Sequence, residues 1–470
     1  MSEKKKIIRA CTVSMSIGFV EGMLPDLMKK YEVVILSSPG PEMDKVREQH
    51  GVRTIAVPME RHISLRHDLV SLWRMIQVFR KEKPDMVHSM TPKAGLLCMM
   101  AAWLTRVPVR VHTFTGLVFP TATGLTRRIL MLTDAITCFC ATHVIPEGEG
   151  VKTDLLNHGI THKPIKVLGY GNVRGVDMER FSPGRLNVNG NDNVNLWRVE
   201  GGECRDSSEV ESIKKEELRT KSDNEGLPLT AYGLNLKTQN SNLKTDSTLY
   251  TLRSALPLCS AKNSKLKTFR FLFVGRIVRD KGMNELMRAF QRLSEQYPEV
   301  RLVLVGRYED CLDPVSEETK RIIEENPNIE AVGPKMGDDL VRCYAEADCF
   351  VFPSYREGFP NTVLEAGAMG LPCIVTDING CREIISLSPD PSPIREGGLR
   401  HQTSDLRLRR NGIIIPPRDE EALYAAMERM VTDEGMRKQM AANARPMIAQ
   451  RFEQGFVRRC LYEFYEEVLS

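Results

Sequence analysis

The sequence lacks the features that mark several common protein classes. Its longest apolar run, Ala94 to Leu104, has eleven residues, whereas a membrane-spanning helix needs roughly 20. After the basic residues Lys4 to Lys6 the chain alternates like a strand and has no small-residue cleavage site, so no signal peptide is expected. Twelve cysteines occur without a Cys-x-x-Cys pair. We therefore expect reduced thiols in a cytoplasmic protein.

A dinucleotide fingerprint is also missing. No Gly-x-Gly-x-x-Gly pattern follows the first predicted strand, which makes an NAD oxidoreductase the weakest candidate. The 470 residues suit two α/β domains, each with its own core. The same pattern occurs twice, in Gly95 to Val109 and in Gly367 to Val375. In each stretch a predicted helix of small residues is followed by a hydrophobic residue, a proline and a short strand. This echo predicts two Rossmann-like domains facing each other across a cleft.

The most informative segment runs from Pro353 to Glu365 and reads Pro-Ser-Tyr-Arg-Glu-Gly-Phe-Pro-Asn-Thr-Val-Leu-Glu. It follows an apolar strand predicted at residues 349–352. Glu357 and Glu365 lie eight residues apart across the start of a helix, which we expect Asn361 to cap. In open α/β sheets such a loop binds ligands. Two carboxylates suit the vicinal hydroxyls of a ribose or hexose, although either one alone also fits a structural role opposite the helix dipole.

A second loop carries two cations. A buried strand is predicted at residues 269–274, and Gly275, Arg276 and Lys281 follow it before a helix at residues 283–296. Glycine permits close backbone approach, and the two cations suit a diphosphate. A solvated charged loop is the structural alternative.

The amino-terminal half offers candidates for the acceptor side. A loop at residues 14–22 follows the first predicted strand, although a plain turn fits its glycine equally well. The two histidines at strand ends also fit hydrogen-bonded structural roles, and a threonine cannot act as a base near neutral pH. The acceptor-side candidates are His88, Lys93, His112 and Thr115, and the glycine of the loop is Gly18.

The segment from Glu357 to Glu365 resembles the Glu-x7-Glu motif of retaining glycosyltransferases of group 1, the family 4 type, which have the GT-B fold. In that family the second glutamate holds the nucleotide ribose and the first contacts donor-sugar hydroxyls. Gly-Arg followed by Lys-Gly is similar to the family's pyrophosphate clamp. The resemblance implies catalytic roles for Glu357, Arg276 and Lys281. It implies a donor site made of Gly18, Gly275, Arg276, Lys281, Glu357, Gly358, Phe359, Pro360, Asn361, Thr362 and Glu365.

One position departs from the family pattern, because many relatives carry His-Gly where this chain has Thr115-Gly116. Retaining transfer in this fold is thought to let the leaving phosphate take the acceptor's proton, so a protein base is not indispensable. The chain has no Asp-x-Asp triplet, the usual sign of a metal-held nucleotide sugar. We therefore expect no metal and no cofactor.

The resemblance further implies the substrates. It indicates a UDP-sugar donor, either a hexose or an N-acetylhexosamine, and a glycan or polyprenyl-diphosphate-linked acceptor in surface polysaccharide biosynthesis. No nucleic-acid partner is expected. Two other functions stay open. A paired-carboxylate glycoside hydrolase would have no use for Arg276 and Lys281, and a non-catalytic sugar-nucleotide or glycan-binding relative is conceivable because of Thr115.

Charge is uneven along the chain. From Arg61 to Arg128 there are eleven basic and three acidic residues, a net charge of +8. Apolar residues at helical spacing between positions 65 and 79 fit either an amphipathic helix docked on its own sheet or a membrane-surface helix. A basic acceptor domain suits peripheral contact with the inner face of the cytoplasmic membrane.

These patterns divide the chain into segments. Residues 1–183 are predicted as the acceptor-side domain and residues 268–453 as the nucleotide-sugar domain. Residues 187–267, rich in Asn, Ser, Lys and Glu, are expected to be a disordered insertion or linker. Residues 386–410 form a second predicted surface insertion, and residues 454–470 a helix that crosses back to the first domain.

Overall fold

The computed structural model describes residues 4–60, 64–185, 268–309, 313–385 and 406–470. These residues all belong to one compact unit. The predicted insertion at 187–267 and residues 386–405 of the second predicted insertion lie outside the described residues. Helices able to span a bilayer are absent from the described part of the chain.

The first half forms a six-stranded parallel sheet. Its strands are β1 Lys6–Ala10, β2 Glu32–Ser37, β3 Arg53–Ala56, β4 Met86–Met90, β5 Val109–Phe114 and β6 His143–Pro146. They lie in the order β3-β2-β1-β4-β5-β6. Helices on both faces bury the central strands, which therefore read as apolar runs. The helices are α1 Leu24–Lys30, α2 Pro41–His50, α3 Leu65–Glu82, α4 Pro92–Leu104, α5 Gly124–Cys140 and α6 Glu149–Asn157.

The second half repeats this architecture with seven strands. The strands are β7 Phe269–Val274, β8 Val300–Val305, β9 Ile329–Gly333, β10 Cys349–Phe352, β11 Cys373–Thr376, β12 Arg407–Arg409 and β13 Gly412–Ile415. Their order is β12-β13-β11-β10-β7-β8-β9. The helices are α7 Met283–Gln296, α8 Glu317–Glu325, α9 Gly337–Ala345, α10 Asn361–Ala368, α11 Cys381–Ile385, α12 Glu420–Thr432, α13 Glu434–Phe452 and α14 Gln454–Leu469.

One edge of the second sheet differs from the sequence prediction. β12 pairs antiparallel with β13, although its residues fall inside the predicted surface insertion at 386–410. The end of that insertion thus extends the sheet rather than lying in a loop, because the edge strand β13 offers main-chain donors and acceptors that a returning segment can pair with.

Both sheets reverse their strand order at one point. The reversal lies between β1 and β4 in the first sheet and between β7 and β10 in the second. Ligands of doubly wound sheets bind outside the carboxyl ends of the strands at such switch points. The loops after β7 and β10 carry Arg276, Lys281 and Glu357. The fold therefore places both predicted donor motifs at the switch point of the second sheet.

The last helix, α14, packs on the first sheet although it follows the second in sequence. Tyr465 and Leu469 share a buried cluster with Ile7 of β1. The Tyr465 hydroxyl accepts a hydrogen bond from the Arg9 guanidinium and lies 2.6 Å from His88 Nδ1. α14 is thus fastened to the two central strands, β1 and β4. The domain limits given above stay predictions.

Candidate functional site

The loop between β10 and α10 holds Glu357 against a cation. The Glu357 carboxylate forms an ion pair with Lys281 and accepts a hydrogen bond from Ser354 Oγ at 2.8 Å. The side chains of Lys281 and Glu357 are 13% and 16% exposed. The Lys281 ammonium also lies 5.4 Å from the centre of the Phe352 ring. The structure therefore joins the first glutamate of the motif directly to the lysine of the predicted clamp, a contact the sequence did not predict.

A glycine places Lys281 at this position. Gly282 follows the 3-10 turn Arg279–Lys281 with a φ of 72°, and a Cβ there would clash with the Pro353 carbonyl oxygen. The main-chain N–H of Tyr355 donates to the Asp280 carbonyl at 2.8 Å, which joins the same two loops. Glycine adopts this φ more readily than any other residue, and it has no Cβ to clash with the Pro353 carbonyl. Gly282 therefore lets the Lys281 turn approach the loop that carries Glu357.

Arg276 leaves the same loop but contacts a different carboxylate. It forms an ion pair with Glu309, and its side chain is 41% exposed. The Gly275 N–H donates to the Val305 carbonyl at 2.9 Å, and a Cβ on Gly306 would clash with the Gly275 carbonyl oxygen. The loops after β7 and β8 therefore pack backbone to backbone beside Arg276.

Glu365 is buried on α10. The Tyr344 hydroxyl donates to its Oε2 at 3.0 Å. Burial raises the pKa of Glu365, while Arg174, the Tyr344 hydrogen bond and Arg180 act in the opposite direction. Both arginines come from the chain after the first sheet, and the sequence analysis did not single them out. One Glu365 oxygen thus accepts a hydrogen bond from Tyr344, and the carboxylate is largely shielded from water.

The start of α10 corrects one prediction. The helix begins at Asn361 with Pro360 at the N-cap, so Asn361 does not cap it. The Asn361 Oδ1 instead accepts a hydrogen bond from Asn172 Nδ2 at 3.1 Å. The neighbouring Phe359 is buried against Phe452, with ring centres 5.2 Å apart. The Asn361 amide is thus used to join the two halves of the chain.

Thr362 and Gly358 complete the predicted donor segment. Thr362 is half-buried on α10, and its carbonyl accepts a hydrogen bond from the Tyr344 hydroxyl at 3.3 Å. Gly358 is buried, and a side chain there would clash with the Thr115 carbonyl oxygen. Gly116, with a φ of 126°, approaches from the same side, since a Cβ on it would lie 3.1 Å from the Gly358 nitrogen. The backbone after β5 therefore lies directly on the Glu357 loop.

Glu147 reaches the same loop and was missed by the sequence analysis. It follows β6 directly and is 3% exposed. A Cβ on Gly358 would lie 2.7 Å from Glu147 Oε2. Burial and the nearby Glu357, with a smaller effect of Glu383, raise the pKa of Glu147 to about 8. Its place at the carboxyl end of a parallel strand was the signal that could have found it.

A second glutamate joins the two halves of the chain. Glu383 of α11 accepts hydrogen bonds from the main-chain N–H groups of Glu149 at 2.8 Å and Gly150 at 2.9 Å, at the start of α6. Asn379 Nδ2 donates to Asp154 Oδ2 at 2.7 Å. A carboxylate at a helix amino terminus is stabilised by the helix dipole.

His88 lies in the interior of the first half. Its Nδ1 is 2.7 Å from Arg9 Nη1, and its Nε2 is 2.7 Å from Thr113 Oγ1. Burial, helped by Arg9 and His112, lowers the pKa of His88 well below its usual value. Both ring nitrogens are thus engaged, which favours the structural alternative for this residue.

His112 and Lys93 also contact their own half. His112 is buried beside Ser89, whose Oγ lies 2.9 Å from Nδ1, and burial lowers the pKa of His112 to about 3. Lys93 forms an ion pair with Asp68 of α3 at 2.8 Å. In the described part of the chain, Thr115 is the acceptor-side candidate that reaches the Glu357 loop.

Gly18 lies in the segment for which the sequence left both a loop and a plain turn open. Residues 14–22 contain the 3-10 turns Ser14–Phe19 and Glu21–Met23, which agrees with the turn. The buried Ile17 anchors the first turn, while Gly18 stays exposed. The turn faces the second half, because Met15 Sδ lies 4.0 Å from Arg307 Nη2.

Two family models match the chain. "Glycosyl transferases group 1" matches residues 268–433 and "Glycosyl transferase 4-like domain" matches residues 27–171. The capsular polysaccharide biosynthesis glycosyltransferase CapM of Staphylococcus aureus is 27% identical and covers 100% of this chain and 98% of its own. An Escherichia coli UDP-Gal:alpha-D-GlcNAc-diphosphoundecaprenol alpha-1,3-galactosyltransferase is 25% identical over 89% of this chain and 84% of its own.

Solved structures with the same fold cover nearly the whole chain. A glycosyltransferase from Rickettsia africae ESF-5 superposes with a TM-score of 0.63 at 17% identity and covers 99% of each chain. Anabaena Alr3699/HepE in complex with UDP gives 0.61 at 16% identity, covering 98% of this chain and 100% of that one. These similarities confirm the prediction of two Rossmann-like domains.

The position of Lys281 depends on Gly282, which a single substitution tests. Gly282→Ala should lower the free energy of unfolding by more than Gly51→Ala in a urea titration. Gly51 has a similar φ of 65° but nothing within 4 Å of a Cβ, so it reports the left-handed backbone alone, roughly 1–2 kcal/mol. Equal losses for the two variants would mean that the Pro353 carbonyl does not constrain the Lys281 turn.

Proposed function

Because the chain belongs to the group 1, family 4-type glycosyltransferases with the GT-B fold, we propose that it moves a sugar from a UDP-sugar to a polyprenyl-diphosphate-linked glycan in surface polysaccharide biosynthesis. The observation that carries this proposal is the meeting of Lys281 and Glu357 at the switch point of the second sheet. The names of the capsular and undecaprenol-linked relatives support the acceptor class.

Each charged group has a distinct part in binding the donor. Glu365 accepts hydrogen bonds from the ribose hydroxyls, and Oε1 is the oxygen assigned to them because Oε2 accepts from Tyr344. Arg276 and Lys281 hold the diphosphate and neutralise the charge that develops as it leaves. Lys281 then bridges the diphosphate and Glu357, whose other oxygen accepts from a hydroxyl of the donor sugar.

Transfer proceeds with retention of the anomeric configuration and without a metal ion. The bond between the anomeric carbon and the phosphate oxygen breaks as the acceptor oxygen attacks from the same face, and the leaving phosphate takes the acceptor's proton. Thr115 is then not needed as a base. Two cations next to the diphosphate supply the positive charge that a divalent ion supplies elsewhere.

The two alternative functions make different demands on the site. A paired-carboxylate hydrolase works with two carboxyl groups and has no use for Arg276 and Lys281, whereas here Lys281 is ion-paired with Glu357. A relative that binds without transfer would keep nucleotide affinity and show no turnover. The assay below separates it from an active enzyme.

We expect the protein to transfer sugar from one of a panel of UDP-sugars to an undecaprenyl-diphosphate-linked glycan, with the donor's anomeric configuration retained by NMR. Activity should persist in excess EDTA. At saturating donor, Arg276→Ala and Lys281→Ala should each lower turnover by roughly 10²–10³, since each removes a preorganised charge.

The control for this assay is Arg279→Ala, because Arg279 leaves the same turn but is exposed and paired with Asp313. Its turnover should stay near that of wild type. Activity that EDTA removes and manganese restores would show that a metal carries the charge assigned to Arg276 and Lys281.

An exposed apolar face on the first half fits the membrane contact that a polyprenyl acceptor requires. Helix α4 packs between α3 and α5, and α3 and α5 expose large apolar side chains. Those that define the face are Leu65, Leu69, Trp73, Leu125, Leu132 and Phe139. Arg66, Arg74 and Arg128 are exposed on the same two helices. Helices that expose large apolar side chains together with basic residues are typical of contact with anionic lipid.

The sequence left two interpretations of residues 65–79 open, a helix docked on its own sheet and a membrane-surface helix. The structure bears on both. Met75 and Phe79 of α3 are buried against the sheet, so the helix does dock on its own domain. Leu69 and Trp73 nevertheless stay exposed on its other side. Each basic residue near an anionic surface contributes about 1 kcal/mol of attraction, which supports binding to the inner leaflet.

The double variant Leu69→Asp/Trp73→Asp should lose binding to vesicles that contain phosphatidylglycerol, because it places two acidic groups on the apolar face. The control is Met336→Asp, which changes a residue that is 83% exposed in the second half. Flotation of wild type and both variants measures the effect. Equal flotation of wild type with and without phosphatidylglycerol would contradict the anionic-surface proposal.

A further inference from the structure

One buried carboxyl at the site has no part in the reaction proposed above. Glu147 is enclosed between the backbone after β5 and the loop after β10, beside Gly358. Burying a carboxylate is costly unless it is paired with a cation, so its presence at this place needs a physical reason.

The backbone holds Glu147 in place from two sides. Its N–H donates to the Phe114 carbonyl at 3.1 Å, and its carbonyl accepts from the Asn172 N–H at 2.7 Å. The side chain therefore starts from a fixed backbone position. Its Oε2 would lie 2.7 Å from a Cβ placed on Gly358. A change at Glu147 is transmitted directly to the Glu357 loop.

The charged groups that face Glu147 come from both halves of the chain. Glu357 faces it from the loop after β10 and is itself ion-paired with Lys281. Glu383 faces it from α11, and the Val173 N–H contributes a hydrogen bond that acts in the opposite direction. With burial, the two carboxylates raise the pKa of Glu147 to about 8. At neutral pH its carboxyl is therefore largely uncharged.

We propose that Glu147 is a positioning residue whose neutral carboxyl holds the Glu357–Gly358 loop against Thr115 and Gly116, and that loss of its proton displaces this loop and slows transfer. Ionisation places two carboxylates side by side in a buried setting, and like charges there repel. Turnover then falls at alkaline pH. The affinity for the nucleotide changes less, because it depends on Glu365. The kinetic part of this inference rests on the proposed function.

The kinetic test compares pH profiles of kcat for two substitutions. Glu147→Gln cannot ionise but keeps a hydrogen-bonding group of the same size. It should stay within about tenfold of wild type at pH 7 and lose the decline that wild type shows above a pH of about 8. Glu147→Ala should lower kcat about 10²-fold at every pH, because the loop loses its support.

The matched control is Glu149→Gln, which alters an exposed glutamate two residues away and should keep the wild-type profile. A wild-type profile without an alkaline decline, or the same decline in Glu147→Gln, overturns the proposal. So does a Glu147→Gln protein as impaired at pH 7 as Glu147→Ala, because an ionised carboxylate would then be the active form.

A second readout needs no enzyme activity. The pKa of Glu147 is raised from 4.5 to about 8 on folding, so the folded state binds more protons between these values. The stability of wild type relative to Glu147→Gln should be greatest below a pH of about 4.5, fall as the pH rises through about 8, and then level off. Urea unfolding from pH 5 to pH 9 measures this difference.

The two readouts separate failure of this inference from failure of the proposed function. A stability difference that does not change over that range means that Glu147 is ionised in the folded protein, and the inference is wrong whatever the assay shows. If the stability difference has the expected slope but the protein transfers no sugar from any donor, the proposed function and the kinetic part of this inference are wrong. The conclusion that Glu147 is protonated in the folded protein then still holds.

Discussion

The burial of negative charge where the two halves of the chain meet is the constraint on which the rest of the site depends. Three glutamates, Glu147, Glu357 and Glu383, approach one another there. Removing an ion from water costs several kcal/mol unless it is paired. Each carboxyl is stabilised differently. Glu357 is ion-paired with Lys281, and Glu383 accepts hydrogen bonds from the main-chain N–H groups at the amino terminus of α6. Glu147 has a raised pKa, so it stays largely protonated at neutral pH.

This constraint links folding to the proposed chemistry. Lys281 satisfies Glu357 in the folded protein, and in the proposed reaction it also faces the departing diphosphate. A cation fixed by such contacts needs little reorganisation when charge develops in the transition state. Glycines at 116, 282 and 358 permit the close backbone approach that this arrangement requires. The apolar face on α3 and α5 would bring a lipid-linked acceptor to the same molecule.

The sequence predicted the second half more accurately than the first. The strands at 269–274 and 349–352 and the helix at 283–296 agree with the structure residue for residue, and the helix predicted at 454–470 ends one residue earlier, at Leu469. Gly275 and Pro353 mark the ends of the two strands in the sequence. In the first half, the candidates His88 and His112 are buried and hydrogen-bonded within their own half instead. Contacts such as that of Glu147 with Gly358 join positions more than 200 residues apart. Local patterns carry no information on such pairs, so these contacts were missed.

Binding of a nucleotide by the Glu357–Glu365 segment is measured by calorimetry with UDP. Glu365→Gln should weaken binding by roughly 1–3 kcal/mol, the range for hydrogen bonds to charged groups. Glu330→Gln, a change at an exposed position of β9 in the same half, should leave the affinity unchanged. If a folded Glu365→Gln protein binds UDP as tightly as wild type, the ribose contact and the donor site built on it are wrong.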